Sequence, residues 1–169
     1  MNILTYTSQL QTHADAIRSL AQNISDEQAH WKPDPESWSV LEVLCHLYDE
    51  ECFDFRVRLD IILHHPEEPW PPIDPKGWVA SHQYSQRHLA QTVVNFLAER
   101  QKSLAWLQEL ESPDWQSSCK TPWGSMTAGD MFAAWVAHDL LHLRELVVLH
   151  YAYIARTVER HTVIYAGEW

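Results

Sequence analysis

The stretch SVLEVLCHLYDEECFDFRVRLDIILH, residues 39–64, carries the clearest fold signal in the chain. Its apolar residues recur at intervals of three or four, which is the spacing of one face of an amphipathic α-helix. Ser39 followed by Glu42 forms a capping box, in which each side chain can bond a backbone N–H of the first turn. We therefore predict one helix from Ser39 to His64.

Three further segments show the same helical periodicity. Residues 2–22, 81–110 and 128–150 each space their apolar side chains in this way, and Thr127 with Asp130 forms a looser capping signal before the last segment. Helices of this length bury an apolar stripe only by packing on one another. The sequence therefore predicts an all-α four-helix bundle.

The connectors between the predicted helices hold no further domain. They are long for tight helical hairpins and leave room for a crossover connection. Their tryptophans either roof a substrate cleft or fill a dimer contact, and include Trp70, Trp78, Trp115 and Trp123. Residues 1–169 are predicted to form a single domain. Residues 151–169 form an apolar tail, which we expect to pack on the bundle or on a second subunit.

The charge of the chain argues against two classes of partner. It has 12 Lys and Arg against 23 Asp and Glu, a formal net charge of −11, and no basic cluster. Because nucleic acids and anionic membrane surfaces attract basic clusters, we expect neither as a partner. The three cysteines include no CxxC pair, and the sequence shows neither a signal-peptide pattern nor a membrane-spanning run. These features predict a cytoplasmic protein with reduced thiols.

His138 and His142 form an i, i+4 pair on the fourth predicted helix, which places two imidazoles on one face where they can bind one cation. The spacing alone is weak evidence, because 11 histidines in 169 residues produce about one such pair by chance. The surrounding stripe is apolar and directs both rings at the core; it comprises Met131, Ala134, Trp135, Leu146 and Leu149. A buried imidazole needs a partner, so metal binding is the favoured interpretation.

His46 is the candidate for a third ligand, because its neighbours on the helix face are mostly apolar. Three imidazoles with an open coordination position are typical of catalytic zinc-type sites, whereas structural sites are more often closed by thiolates. Glu50 lies one turn beyond His46. It is the candidate catalytic residue, either as a fourth ligand or as a proton acceptor, and the alternative is a solvated helix carboxylate.

Two acidic residues flank the histidine pair. A carboxylate that bonds the outer nitrogen of a metal-bound imidazole orients that ring, and Glu145 and Asp139 are the candidates for this role. Asp139 lies about 100° round the helix from His138, so the alternative is that it faces solvent.

The stretches PESWSVLEVLCHLYDEE (35–51) and AAWVAHDLLHLREL (133–146) together resemble the DinB/YfiT-like superfamily. The resemblance lies in a Trp-Ser start to the second helix, one histidine two turns into that helix, and the HxxxH pair of the fourth. It covers nearly the whole chain in order, length and helix count. The resemblance implies an up-down-down-up four-helix bundle that is often a homodimer. It also implies a divalent metal, commonly nickel or zinc, on the histidines that match His46, His138 and His142.

Superfamily members of known activity are S-transferases and isomerases that use a low-molecular-weight thiol, or metal-dependent hydrolases. We therefore expect a metal-dependent enzyme of the thiol S-transferase or hydrolase type, acting on a small-molecule substrate. A second hypothesis is a non-catalytic metal-binding or stress-response protein. A third is a bundle in which the three histidines are ordinary core residues.

Overall fold

The computed structural model describes residues 2–121 and 124–167, and long helices dominate this part of the chain. The helices are α1 (Ile3–Ala21), α2 (Asp26–His30), α3 (Val40–Phe53), α4 (Phe55–His64), α5 (Pro75–Ser81), α6 (Leu89–Glu109) and α7 (Ala128–Thr157). Strands β1 (Ser118–Thr121) and β2 (Gly124–Thr127) form an antiparallel hairpin. The predicted four-helix bundle is confirmed, and its members are α1, the α3–α4 pair, α6 and α7.

Both capping boxes predicted from the sequence are present. Ser39 Oγ accepts a bond from the Glu42 N–H at 3.2 Å, and Glu42 Oε2 accepts one from the Ser39 N–H at 2.9 Å. Thr127 and Asp130 form the same reciprocal pair at 3.0 and 3.2 Å. Because these donors have no partner inside the helix, the boxes determine where α3 and α7 begin.

The helix predicted over residues 39–64 is interrupted at Asp54. The backbone there leaves the helical region, with φ −118° and ψ −91°, and separates α3 from α4. Immediately after the break, Phe55 is buried and stacks on Trp135 of α7 with ring centroids 6.0 Å apart. No Pro or Gly marks the break in the sequence, so the sequence pattern predicts a continuous helix.

The third long helix begins later than the sequence indicates. Of the predicted residues 81–110, the first few form separate short elements, and Gln83 takes a left-handed backbone with φ 51°. His82 Nδ1 and the Tyr84 hydroxyl both donate to Asp49 Oδ2 on α3 at 2.7 Å. These bonds to a buried carboxylate hold residues 82–84 against α3, so this segment does not join the long helix α6.

Helix α7 ends at Thr157 rather than near residue 150. Its last turns pack against the α2 region, where the rings of Tyr153 and Trp31 lie 5.5 Å apart between centroids. Residues 158–167 are largely exposed in the single chain. Packing of this tail on a second subunit therefore stays a prediction.

The β1–β2 hairpin is absent from the sequence-based prediction. Each strand has four residues, which is too short for an alternating pattern to stand out. Cys119 of β1 is buried in the core and pairs in register with Met126 of β2. Trp123, which the sequence suggested for a cleft or dimer contact, lies outside the described residues, as do the last two residues of the tail.

Contacts between the helices establish the topology. Helices α1 and α7 run parallel, because the positions of their contacting pairs rise together in Tyr6–Phe132, His13–Asp139 and Leu20–His150. The α3–α4 pair and α6 are also parallel, as shown by Cys45–Thr92 and Arg56–Ser103.

The other two packing directions are antiparallel. Helix α3 runs against α7, as shown by the pairs Trp38–His142, His46–His138 and Glu51–Trp135. Helix α1 likewise runs against α6, since Gln11 bonds Gln101, and Leu4 and Gln108 line the same groove further along. The up-down-down-up arrangement is thus confirmed. The connection over residues 65–88 is the crossover that joins two parallel helices.

Candidate metal centre

Three imidazoles converge where α3 packs on α7. Nε2 of His138 lies 3.3 Å from Nε2 of His46 and 3.1 Å from Nε2 of His142. His46 is 5% exposed, and the other two are partly buried. Their ligand atoms all lie within 4.8 Å of one another, and this is the only such group of His, Cys, Asp or Glu among the described residues. The three predicted ligands are therefore brought together.

The spacing fits a single divalent ion. Two nitrogens that each lie about 2.0–2.1 Å from one metal, with an angle between about 90° and 110°, are about 2.8–3.4 Å apart. Both measured separations fall in this range. Three imidazole nitrogens without thiolates leave coordination positions free, and imidazole suits zinc, copper, iron and nickel alike.

Glu145 fixes the ring of His142. His142 Nδ1 lies 2.9 Å from Glu145 Oε2, and because a carboxylate only accepts, Nδ1 is the donor. The lone pair of Nε2 then points into the cluster. Of the two carboxylates that flank the histidine pair, Glu145 is the one in the orienting position.

Burial keeps two of the rings neutral. It lowers the pKa of His46 to about 2, with further lowering from the neighbouring His142 and His138. It also lowers the pKa of His138 to about 4, where His142 adds to the effect. Neutral imidazole is the form that binds metal, so these two rings need not lose a proton at neutral pH.

Glu50 is buried, and the solvated alternative is wrong for it, because its side chain is only 5% exposed. Its Oε1 lies 3.7 Å from Nδ1 of His46, the ring nitrogen that faces away from the cluster, and neither atom has a hydrogen-bond partner. A neutral imidazole that binds metal through Nε2 carries its proton on Nδ1 and needs such an acceptor. Burial, followed by the neighbouring Asp54, raises the pKa of Glu50 to about 9. Burial and Asp54 thus favour the protonated form of Glu50.

Asp139 is buried, which excludes the solvent-facing alternative. Arg100 on α6 donates to both of its oxygens, at 2.6 and 2.9 Å. The same guanidinium donates to Glu51 on α3 at 2.9 Å and to the carbonyl of Leu10 on α1 at 3.0 Å. This network could not be predicted from the sequence, because its members lie far apart in the chain and carry no motif.

A surface pocket of about 520 Å³ lies near the cluster; none of the three histidines lines it, but two of their neighbours do. Its wall includes Glu145 and Trp38, whose ring centroid lies 4.7 Å from that of His46 and 6.1 Å from that of His142. The remaining wall comes from the connector before α3 and from α5, and includes Lys32, Glu36, Lys76 and Val79. A larger groove of about 790 Å³ between α1 and α6 contains none of the three histidines.

The loop tryptophans proposed as a roof lie elsewhere. Trp70 lies over the guanidinium of Arg58 and Trp78 stacks on His82. Trp115 stacks on Phe132 in the core. None of these three lines the pocket beside the histidines, where Trp38 stands instead.

A four-helix bundle with three converging imidazoles between antiparallel helices defines a class of candidate metalloproteins. The sequence model of the DinB superfamily matches residues 9–146, and the chain belongs to that superfamily. No curated protein matches the chain. Within the described residues, no helix is both long and apolar enough to cross a membrane.

A solved structure shares the fold. It is described as "YfiT from Bacillus subtilis is a probable metal-dependent hydrolase with an unusual four-helix bundle topology". The two chains are 16% identical, the match covers 93% of this chain and 87% of that one, and the TM-score is 0.78. At this identity the similarity establishes a shared fold.

Proposed function

We propose that this protein is a metal-dependent enzyme in which His46, His138 and His142 hold one divalent ion, zinc or nickel. The observation that carries the proposal is the convergence of three Nε2 atoms with separations of 3.1 and 3.3 Å. An ion bound there would act as a Lewis acid and lower the pKa of a coordinated nucleophile. The description of YfiT as a probable metal-dependent hydrolase supports the same class.

The chain's own residues have distinct proposed roles at this site. Glu145 accepts a hydrogen bond from Nδ1 of His142 and so keeps the proton on that nitrogen. The lone pair of Nε2 is then directed into the cluster. Glu50 faces Nδ1 of His46, on the side of the ring away from the cluster, so its proposed role is to accept a hydrogen bond from Nδ1–H and orient the ring, not to take a proton from a coordinated nucleophile. Because burial raises its pKa, Glu50 accepts this bond as a carboxylate only once a nearby cation favours its ionised form.

The substrate is proposed to be a small molecule bound in the pocket beside Trp38 and Glu145. The volume of this pocket, about 520 Å³, lies in the range of small-ligand sites. The reaction is proposed to be transfer of a low-molecular-weight thiol or hydrolysis, which differ in whether a thiol or water is the nucleophile. A pocket lined by Trp38 and Glu145, which contact the histidines, supports an enzyme over a non-catalytic metal-binding or stress-response bundle.

Metal analysis tests the proposal. Protein purified without chelator should contain about one zinc or nickel per chain, and His138→Ala should lose it. His64→Ala is the matched control, because His64 is an exposed histidine that bonds Asp60 at the end of α4. A metal-free wild type whose melting temperature does not rise with added Zn²⁺ or Ni²⁺ would contradict the proposal. Assays of the loaded protein with thiol acceptors and with esters then separate transferase from hydrolase.

A homodimer is proposed on the outer face of α7. This face carries exposed apolar side chains at heptad-like intervals: Leu140, Leu141, Val147, Val148 and Ile154. A contiguous exposed apolar surface of this kind is typical of an association site, and a second copy presents the same surface for a two-fold contact. The cytoplasm is the proposed location, since the three cysteines are unpaired.

A further inference from the structure

Arg100 is the central residue of a buried polar network that reaches every long helix of the bundle. Its side chain is 1% exposed, as are those of its partners Glu51 and Asp139. From α6 it donates to α3 through Glu51, to α7 through Asp139, and to α1 through the Leu10 carbonyl. Trp135 of α7 completes the network by donating to the second oxygen of Glu51 at 3.1 Å.

The network lies close in sequence to the proposed metal ligands on both α3 and α7, the two helices that supply them. Asp139 directly follows His138 on α7, and Glu51 lies five residues after His46 on α3. The candidate site exists only while α3 and α7 keep one relative position along their axes. Apolar packing between helices is non-directional, whereas the bonds of one planar guanidinium to two carboxylates have defined directions.

Stability alone is a weak reason for such a network. Burying charges costs free energy, and replacing a buried ion triad by apolar residues of similar size is often neutral or stabilising. Specifying one packing arrangement is the better-supported use of buried charges. Here the arrangement specified is that of α3 against α7.

We propose that Arg100 is a positioning residue for the metal centre: through Glu51 and Asp139 it sets the register of α3 against α7, and so the geometry in which His46 meets His138 and His142. This inference rests on the proposed metal-binding function. It assigns to Arg100 no contact with the metal or the substrate.

The test replaces the ion triad by apolar residues in the variant Arg100→Met/Glu51→Met/Asp139→Leu. We expect a folded protein with an unchanged or higher melting temperature without metal. Its affinity for Co²⁺, measured by chelator competition, should fall at least about tenfold, and the visible d–d spectrum should change. Arg56→Met is the matched control, because Arg56 on α4 also bonds α6, through Glu99 and Ser103, and lies outside the network around Arg100.

The outcomes separate this inference from the proposed function. A wild type that takes up no Co²⁺ contradicts metal binding itself. Normal Co²⁺ affinity and spectrum in both the wild type and the triple variant contradict only the positioning role. If the triple variant does not fold, Glu51→Gln and Asp139→Asn take its place as isosteric changes. Each should weaken Co²⁺ binding more than Arg56→Met does, and equal effects would overturn the inference.

Discussion

His142 donates from Nδ1 to Oε2 of Glu145 over 2.9 Å, and both side chains lie on α7 one turn apart. The bond leaves Nε2 free to face Nε2 of His138 at 3.1 Å. Glu145 also lines the neighbouring pocket, so the residue that holds the ring of His142 faces this pocket as well.

Glu145→Gln should weaken zinc binding about tenfold, because an amide is a poorer acceptor for the Nδ1 proton and holds the ring less firmly. Competition with a chromophoric chelator measures this affinity. Glu36→Gln is the control, since Glu36 is an exposed carboxylate that lines the same pocket and is not part of the histidine cluster. Equal affinities for the two variants would contradict the orienting role of Glu145.

The two buried histidines and Glu50 should change the stability of the metal-free protein in opposite directions as the pH falls from 7 to 5, because the pKa of Glu50 is raised. The Glu50→Gln protein isolates the histidines, and it should lose stability over this range. The pKa values of His46 and His138 are lowered in the folded state to about 2 and about 4, below the ordinary value of 6.5. In the window between those values the unfolded chain binds protons that the folded chain does not, so the free energy of unfolding falls. Urea unfolding of the Glu50→Gln protein should show a loss of at least about 1 kcal/mol across this window.

Added to Glu50→Gln, His138→Gln should make this pH dependence shallower, because it removes one of the two titrating rings. His64→Gln should leave it unchanged, since His64 is exposed and outside the cluster. A slope that is the same in the Glu50→Gln protein and in both double variants would show that the buried histidines do not cause the loss.

Glu50→Gln should stabilise the metal-free protein at pH 8. The pKa of Glu50 is raised to about 9, so folding at this pH requires proton uptake by a group that is ionised in the unfolded chain. The contribution of protonated Glu50 to the stability of the fold is fully present below about pH 4.5 and is lost as the pH rises towards 9. Gln removes this cost, and we expect a gain of at least about 1 kcal/mol at pH 8 that vanishes near pH 4.

The exposed carboxylate of Glu109 provides the control for that experiment. Glu109→Gln should change the free energy of unfolding little at either pH. A Glu50→Gln protein that is no more stable than wild type at pH 8 would mean that Glu50 is ionised in the fold.

Leu141→Glu should disrupt the proposed homodimer, because it places a charge in the middle of the apolar face of α7. Light scattering coupled to size-exclusion chromatography should report a dimer for wild type and a monomer for the variant. Leu4→Glu is the control, since Leu4 is 73% exposed on α1, away from this face. A monomeric wild type at micromolar concentration would contradict the assembly.

The parts of the fold that could be predicted from sequence depend on neighbouring residues. Periodicity identified the four long helices, and the capping pairs at Ser39 and Thr127 correctly located two of their starts. The break at Asp54 and the late start of α6 could not be predicted in this way. They depend on contacts with residues far along the chain, such as the stacking of Phe55 on Trp135 and the bonds of residues 82–84 to Asp49.

The candidate site divides in the same way. The i, i+4 spacing of His138 and His142 is a local property of one helix, so the sequence by itself determined that these two rings share a face. Only the tertiary structure decided that His46 joins them, that Glu50 lies behind His46 as a buried acid, and that Asp139 is enclosed by Arg100. The physical reason is that burial and convergence depend on how α3, α6 and α7 pack, and helical periodicity specifies only which face of each helix packs.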